Sequence, residues 1–398
     1  MTAGNARPKA AGADRGLPTQ NMKSNRTSTL TRRQFGGRLV VGTAAVGAVA
    51  VPGRRAAAAR TPGSRANPHM HVGGDYHSIV GGRQADMTSL ANLQYNLRHG
   101  VRHLTISVPD RRDGAGWDLD HLRRMRDNCD RQGVVFEAIR MEARYIRAPK
   151  GVARDRELEV VLGNIAKAAQ VGVKVITYHW TVIPIRRNRS TPGRGGSTYP
   201  GFKLEDDWPS LPVGEGGRVS ADEYWERIET FLKKAVPVAR QHDVRLACHP
   251  YDPPGLPFGY QGADNWDSPD VFAAIKRYEA AVESPYNGFQ VCLGTIAEGV
   301  ANPRAAVPPI VRYLGERGKI HQVHMRNIKG RLGDFEEVYP DEGALDLLEI
   351  TRILRDVNFA GSICPDHMPK HPDDKDALQA FAYGYGYIQA LIQAVNAE

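Results

Sequence analysis

Cysteine is scarce in this sequence, with four in 398 residues. Cys129, Cys248, Cys292 and Cys364 are too few to frame a disulfide scaffold for so long a chain, so each thiol needs its own reason to be present. Long apolar runs are also missing. The one compact run, 39–51, covers 13 residues, short of the ~20 that a membrane-spanning helix needs. No Gly-rich phosphate loop follows a strand candidate, which removes the main support for a dinucleotide-binding open sheet. Most of the chain also lacks a basic excess. The formal net charge is +9, but residues 1–65 hold twelve Lys and Arg against one acid, Asp14. The remainder is slightly acidic, and nucleic-acid binding is not expected.

The basic segment is organised as an export signal. Thr31-Arg32-Arg33-Gln34-Phe35 carries paired arginines, the Gly- and Ala-rich run 39–51 follows, and Arg54-Arg55 precedes a small-residue stretch, 56–59, suited to a signal peptidase. We expect 1–66 to be a twin-arginine signal and linker, with Met22 as an alternative start, and 67–398 to be one domain. This route exports proteins already folded. A metal taken up in the cytoplasm would then travel with the protein to the periplasm or beyond, past the competition from copper and zinc outside.

From residue 67 onward strand and helix patterns alternate. Strand candidates are 68–73, 101–108, 133–141, 173–180, 244–250, 288–294, 320–327 and 361–367. A helix candidate follows each: 86–98, 118–131, 155–170, 221–242, 269–283, 304–317, 344–357 and 375–395. Asp118, Asp155 and Ser220 stand where N-caps belong, and Gly100, Gly133 and Gly172 where helices end. Eight βα units without a break in composition predict a single-domain (β/α)8 TIM barrel. Two long loops, 181–219 and 251–267, then fall on the catalytic face of that barrel. The first, with Arg186, Arg187, Arg189 and Arg194, is expected to act as a substrate lid.

The C-terminal ends of barrel strands point inward side chains at one pocket. From the fifth strand onward those ends supply His249, Cys292, His324 and Asp366. Alone, each has a plain structural reading. Together, on four consecutive strands, two imidazoles, a thiol and a carboxylate make a divalent-metal site. Pro250, Pro253 and Pro254 stiffen the turn after His249. Alternation places Arg326 on the face of His324, where it either clamps a carboxylate or forms a structural ion pair. His367, beside Asp366 at the rim, is a candidate general base. Cys364 reads as core filler, and Cys129 and Cys248 as inert buried thiols.

The region from about residue 67 to the end resembles the mannonate dehydratase family, whose fold is a xylose-isomerase-like barrel. The resemblance rests on Gly172-Val173-Lys174-Val175-Ile176-Thr177-Tyr178, His249-Pro250-Tyr251-Asp252-Pro253-Pro254, Ser284-Pro285-Tyr286-Asn287-Gly288 with Cys292-Leu293-Gly294, His324-Met325-Arg326-Asn327, Gly333-Asp334-Phe335-Glu336-Glu337 and Pro365-Asp366-His367. It implies a dehydratase converting D-mannonate, or a related aldonate, to 2-keto-3-deoxy-D-gluconate or its counterpart. It implies Mn2+ or Fe2+ on His249, Cys292, His324 and Asp366. Catalysis would fall to His367 with a C-terminal tyrosine, Tyr383 or Tyr385 (Tyr387 being a third option). Arg326, Tyr251, Asp252 and Tyr178 would contact substrate.

Three departures stand out. Tyr251 occupies a position where the family has Asp, which exchanges a carboxylate for a phenol at the expected edge of the metal site. Ile185-Arg186-Arg187-Asn188-Arg189-Ser190-Thr191 replaces the family segment after the fourth strand. Export is unusual for an enzyme of hexuronate breakdown. Two other functions stay open at this point: a sugar isomerase or epimerase on the same barrel, and a non-catalytic secreted sugar-acid binder. The expected partners are a small sugar acid, the twin-arginine export machinery and, in a homo-oligomer, further copies of the chain.

Overall fold

Apolar residues at every second position, punctuated by Gly and Pro, give short strands that pair in parallel through helical crossovers. The computed structural model describes residues 66–108, 114–142 and 144–398. The expected export signal therefore lies outside the described residues. In chain order the elements are β1 (Met70–Gly74), α1 (Leu90–Arg98), β2 (His103–Ser107), α2 (Leu119–Gln132), β3 (Val135–Arg140), α3 (Val152–Gln170), β4 (Val175–His179), β5 (Arg189–Pro192), β6 (Thr198–Lys203), α4 (Ala221–Gln241), β7 (Arg245–His249), α5 (Val271–Ala281), β8 (Asn287–Cys292), α6 (Leu293–Glu298), α7 (Pro303–Glu316), β9 (Ile320–His324), β10 (Asn327–Arg331), β11 (Asp334–Val338), α8 (Leu347–Asp356), β12 (Gly361–Cys364) and α9 (Leu378–Ala397).

Eight strands close a parallel barrel in the order β1-β12-β9-β8-β7-β4-β3-β2. This is the (β/α)8 architecture expected from the alternating pattern. Register aligns the strand ends: His179 sits opposite His249, and Cys292 opposite His324. Inside the barrel a small cluster of Ala138, Val175 and Ala247 lines one side. Outside it, Tyr178, Trp180 and Phe231 pack edge to face between β4 and α4, with ring centroids 5.1 to 6.3 Å apart.

Helix ends follow local chemistry. Asp118 caps α2 by accepting from His121 N–H, and Gly133 ends it in the left-handed conformation at φ 67°. Ser220 caps α4 by accepting from Glu223 N–H. Asp155 is not a cap: α3 starts at Val152 after Gly151, and Asp155 lies in its first turn. There it still favours the helix, because a carboxylate in that turn faces the positive end of the dipole.

A second sheet was not expected. β5 and β6 form a hairpin within the loop that follows β4, and β10 and β11 form another directly after β9. The two hairpins join as a four-stranded sheet, β10-β11-β6-β5. The strand expected over 320–327 therefore breaks at His324, and Asn327 opens a separate strand. Within the loop read as a lid, residues Arg189–Pro192 and Thr198–Lys203 are paired backbone, and Arg187 lies just before them, held by ion pairs. Phe335 and Phe202, side by side at 5.9 Å, form the buried face of the added sheet.

Gly330 is essential to the β10–β11 hairpin. Its φ is +98°, and a Cβ there would lie 2.2 Å from the Asp334 carbonyl oxygen. Gly330→Ala should cost ~1–3 kcal/mol and lower the thermal midpoint by roughly 3–10 °C. An unchanged midpoint would show that this sheet does not unfold with the barrel.

Candidate metal centre and acid–base site

His249, Cys292 and His324 are the last residues of β7, β8 and β9, and Asp366 lies two residues beyond β12. Their donor atoms all fall within 4.8 Å of one another. Cys292 Sγ is 3.3 Å from Asp366 Oδ2, and His324 Nδ1 is 3.4 Å from Asp366 Oδ1. The barrel ends thus bring together the four residues singled out from the sequence.

Hydrogen bonds select the nitrogen that each imidazole offers. His249 Nδ1 lies 2.7 Å from the Pro250 carbonyl oxygen and donates to it, leaving Nε2 as the lone-pair nitrogen. The stiff turn after His249 supplies that carbonyl. His324 offers the opposite atom. Its Nε2 is 3.4 Å from Asp75 Oδ2 and 2.7 Å from the Gln290 side-chain amide. Gln290 continues to Gln322 at 2.6 Å, and Gln322 to Thr105 and Ser362 at 2.6 and 3.0 Å. The Gln290 amide N–H donates to Nε2, and the buried Nδ1 of His324 has no hydrogen-bond partner. That orphaned atom faces a thiol and a carboxylate, the donor chemistry a divalent cation needs. The residues therefore fit a metal.

Electrostatics agree with this donor set. Burial alone would raise the pKa of Asp366, but His367, His324 and Arg326 hold it well below the usual carboxylate range. Burial disfavours a charged His324, yet Asp366 and its neighbours push its pKa up to about 9. Burial keeps the Cys292 thiol above its ordinary pKa, opposed by Arg326. Thr295 N–H points at Cys292 Sγ from 3.4 Å, a contact that favours the thiolate.

Behind the donors lies a buried ion network. The Arg326 guanidinium reaches Glu337 Oε1 at 3.0 Å, Asp252 Oδ2 at 3.0 Å, Glu298 Oε1 at 3.0 Å and Asp366 Oδ2 at 3.5 Å. Arg187 joins from the added sheet, contacting Asp252, Glu298 and Glu337. Burial pushes Glu298 well above its ordinary pKa, while Asp252 is held low by Arg187 and Arg326 despite burial. Of its two sequence readings, Arg326 follows the structural ion pair. Its two Nη atoms meet Glu337, Asp252 and Glu298, while its buried Nε has no hydrogen-bond partner.

His367 stands at the rim, with 37% of its side chain exposed. Glu337 Oε1 and Arg326 Nη1 both lie 2.8 Å from its Nδ1, and its Nε2 faces Asp366 Oδ1 at 3.9 Å. Burial lowers the pKa of His367, but Glu337 and Asp366 outweigh it and raise it overall. A cleft of about 250 Å³ opens here, lined by His77, Arg140, His179, His249, Asp366 and His367 among others. A larger cleft of about 530 Å³ shares Tyr76 and Arg83 with it but contains none of the four donors.

Other residues singled out from the sequence lie elsewhere. The Tyr178 side chain is on the outer face of β4, its hydroxyl paired with that of Tyr278. The Tyr251 ring is fully buried, its hydroxyl donating to the Ile183 carbonyl and its N–H to Asp267 Oδ2. It pins the loop after β7 to the loop after β4 and does not border the donors. Tyr383 is 40% exposed, beneath Arg194. Tyr385 is enclosed between Tyr95 and Phe381, away from the cleft lining. The aromatic of α9 that approaches the cleft is Phe381, 6.4 Å from His77, and it has no hydroxyl. Cys248 and Cys364 are buried as expected, and so is Cys129.

The sequence reading missed Asp75, His77, Arg140, His179, Glu298 and Glu337. His77 Nδ1 is 3.0 Å from Asp75 and 3.5 Å from Asp366, and its ring lies 5.2 Å from that of His367. Arg140 lies 3.0 Å from His179 Nε2. Burial, then Arg140 and His249, bring the pKa of His179 down to about 3, so it stays neutral. Asp75 and His77 follow β1, Arg140 and His179 end β3 and β4, and Glu298 and Glu337 lie on α6 and β11; the rule applied to the later strands would have found His179 and Arg140.

Residues 215–397 match the family model described as D-mannonate dehydratase (UxuA). The mannonate dehydratase of Thermotoga neapolitana is 28% identical over 342 residues, covering 75% of this chain and 91% of that protein. That of Shouchella clausii is 27% identical over 305 residues, covering 67% and 82%. A crystal structure of mannonate dehydratase from Streptococcus suis aligns with a TM-score of 0.66 at 20% identity, over 82% of this chain and 94% of that one. A xylose isomerase domain protein from Planctomyces limnophilus aligns at 0.55 and 12% identity, over 83% and 100%. The last two are likenesses of fold.

The buried position of Tyr251 sets a test. Tyr251→Phe loses one hydrogen bond and should cost ~1–2 kcal/mol. Tyr251→Asp places a carboxylate beside the buried Asp267 and should cost ~3 kcal/mol or more. Urea unfolding of both variants checks this. Equal stability of Tyr251→Asp and the parent chain would return Tyr251 to the rim of the site.

Proposed function

We propose that this chain, whose residues 215–397 match the D-mannonate dehydratase family model and which is 27–28% identical to mannonate dehydratases, is a metal-dependent hydro-lyase removing water from a sugar acid, D-mannonate or a related aldonate, to give a 2-keto-3-deoxy acid. The observation that carries this reading is the meeting of two imidazoles, a thiol and a carboxylate at strand ends, with a Glu-held histidine beside them. His249, Cys292, His324 and Asp366 would hold the ion. A bound divalent cation supplies Lewis acidity, lowering the charge cost of deprotonating the carbon next to a carboxylate. Mn2+ or Fe2+ is the proposed metal, acquired before twin-arginine export to the periplasm or outside.

The reaction removes the proton from C2 and the hydroxyl from C3, and the enol product becomes the 2-keto acid. His367 Nε2 is placed to take the C2 proton, with Glu337 fixing the ring through Nδ1. The departing hydroxyl needs a proton donor on the other side. Neither Tyr383 nor Tyr385 lines the cleft, so His77, oriented by Asp75, is the proposed donor. Arg140 is the proposed substrate-carboxylate contact, since Arg326 is already occupied. The thiol ligand argues against an isomerase, whose ligand sets are usually carboxylate-rich.

His367→Gln should lower kcat by ~10²–10⁴ while metal content stays constant, and Glu337→Gln should lower it less. NMR of product formation from D-mannonate and related aldonates, with elemental analysis of the same samples, reads both. A His367→Gln enzyme with full activity would remove that residue from the reaction. Metal uptake must displace the His324 proton, so Mn2+ affinity should rise with pH toward 9. Affinity independent of pH would remove His324 from the ligand set.

A further inference from the structure

We propose that the opposite, N-terminal mouth of the barrel carries a second divalent-metal site, formed by His71, His103 and Glu137 and suited to Zn2+. These residues lie on adjacent strands β1, β2 and β3, with His71 and His103 near the strand starts. The catalytic donors sit at the far ends of their strands, so the two sites are separated by roughly 13 Å of strand rise.

Three observations carry the proposal. First, one donor atom from each residue falls within 4.8 Å of the others. Glu137 Oε2 is 2.7 Å from His71 Nε2 and 2.6 Å from His103 Nδ1. Second, His71 Nδ1 is 2.9 Å from the His69 carbonyl oxygen, to which it donates. A neutral His71 then presents a lone pair at Nε2 to a carboxylate oxygen. Two acceptors at that distance need a cation between them, either a proton or a metal ion. The rings of His71 and His103 lie 3.8 Å apart, so satisfying both nitrogens with protons would make His71 an imidazolium and crowd its Nε2–H against the His103 Nδ1–H at one carboxylate oxygen. One divalent ion satisfies both nitrogens and the carboxylate without that repulsion.

Third, the backbone is adjusted to present Glu137. The β2–β3 register runs Leu104 to Phe136 and then Thr105 to Ala138, so Glu137 is the extra residue of a bulge. Bulges commonly re-aim a side chain. Burial would raise the pKa of Glu137, but His103 and His71 lower it, so it is ionised and ready to bind. The side chains of His71, Glu137 and His103 are 27, 15 and 31% exposed. Water can therefore complete the coordination, as in other zinc sites with two histidines and one carboxylate.

The test uses the full chain carrying His249→Ala, Cys292→Ser, His324→Ala and Asp366→Asn, which removes all four proposed donors of the first site. Calorimetric titration with Zn2+ should give one ion per chain. Adding His103→Ala, or the isosteric Glu137→Gln should His103→Ala fail to fold, should weaken binding more than about 100-fold, beyond the loss expected for an outer-shell partner. In the unsubstituted chain, elemental analysis after Mn2+ and Zn2+ loading should give two metals, falling to one in Glu137→Gln. A single metal per chain in both, or Zn2+ affinity unaffected by either substitution, would overturn the proposal and leave the cluster as an ion pair.

Discussion

The buried guanidinium of Arg326 holds the catalytic end of this barrel together. It reaches carboxylates from the loop after β7, from α6, from β11 and from beyond β12. Burying a charge is expensive and is tolerated only with several well-placed partners. Arg187 divides Asp252, Glu298 and Glu337 with it. Removing any one member would leave its neighbours uncompensated, so the parts of this face stand or fall together.

That dependence links the added sheet to the chemistry. Glu337 belongs to β11, whose partner β6 comes from the distant loop after β4. Its carboxylate serves Arg326, Arg187 and His367 at once. The four-stranded sheet therefore orients His367 as well as covering the barrel. On the metal side, the proline-stiffened turn after β7 and the column of amides inside the barrel each fix one imidazole through the nitrogen facing away from the donors. The site is organised from two directions, by ions above and by neutral hydrogen bonds below.

Much of this was legible in the chain. His249, Cys292, His324 and Asp366 follow from one rule, because barrel register makes strand ends equivalent. The same rule extended to earlier strands reaches Arg140 and His179. Alternation puts Tyr178 out of phase with His179, so β4 turns its ring toward α4 while the residue still borders the cleft. Tyr383 and Tyr385, on α9, do not line it. The helical period turns Phe381 toward the cleft and leaves Tyr383 at the surface. Tyr251 looked like a change at the metal's edge, yet its length carries the hydroxyl past the site to Ile183.

The sequence by itself determined the eight βα units, the four donors and the rim position of His367, because each depends on local periodicity and on chain order. Tertiary structure alone decided that Arg326 is a hub and that Glu337 orients His367. It also decided that His77 stands beside His367 and that His71, His103 and Glu137 meet at the other mouth. Those relations join residues far apart in the chain through pairing and burial, and neither is written in the spacing of the residues themselves.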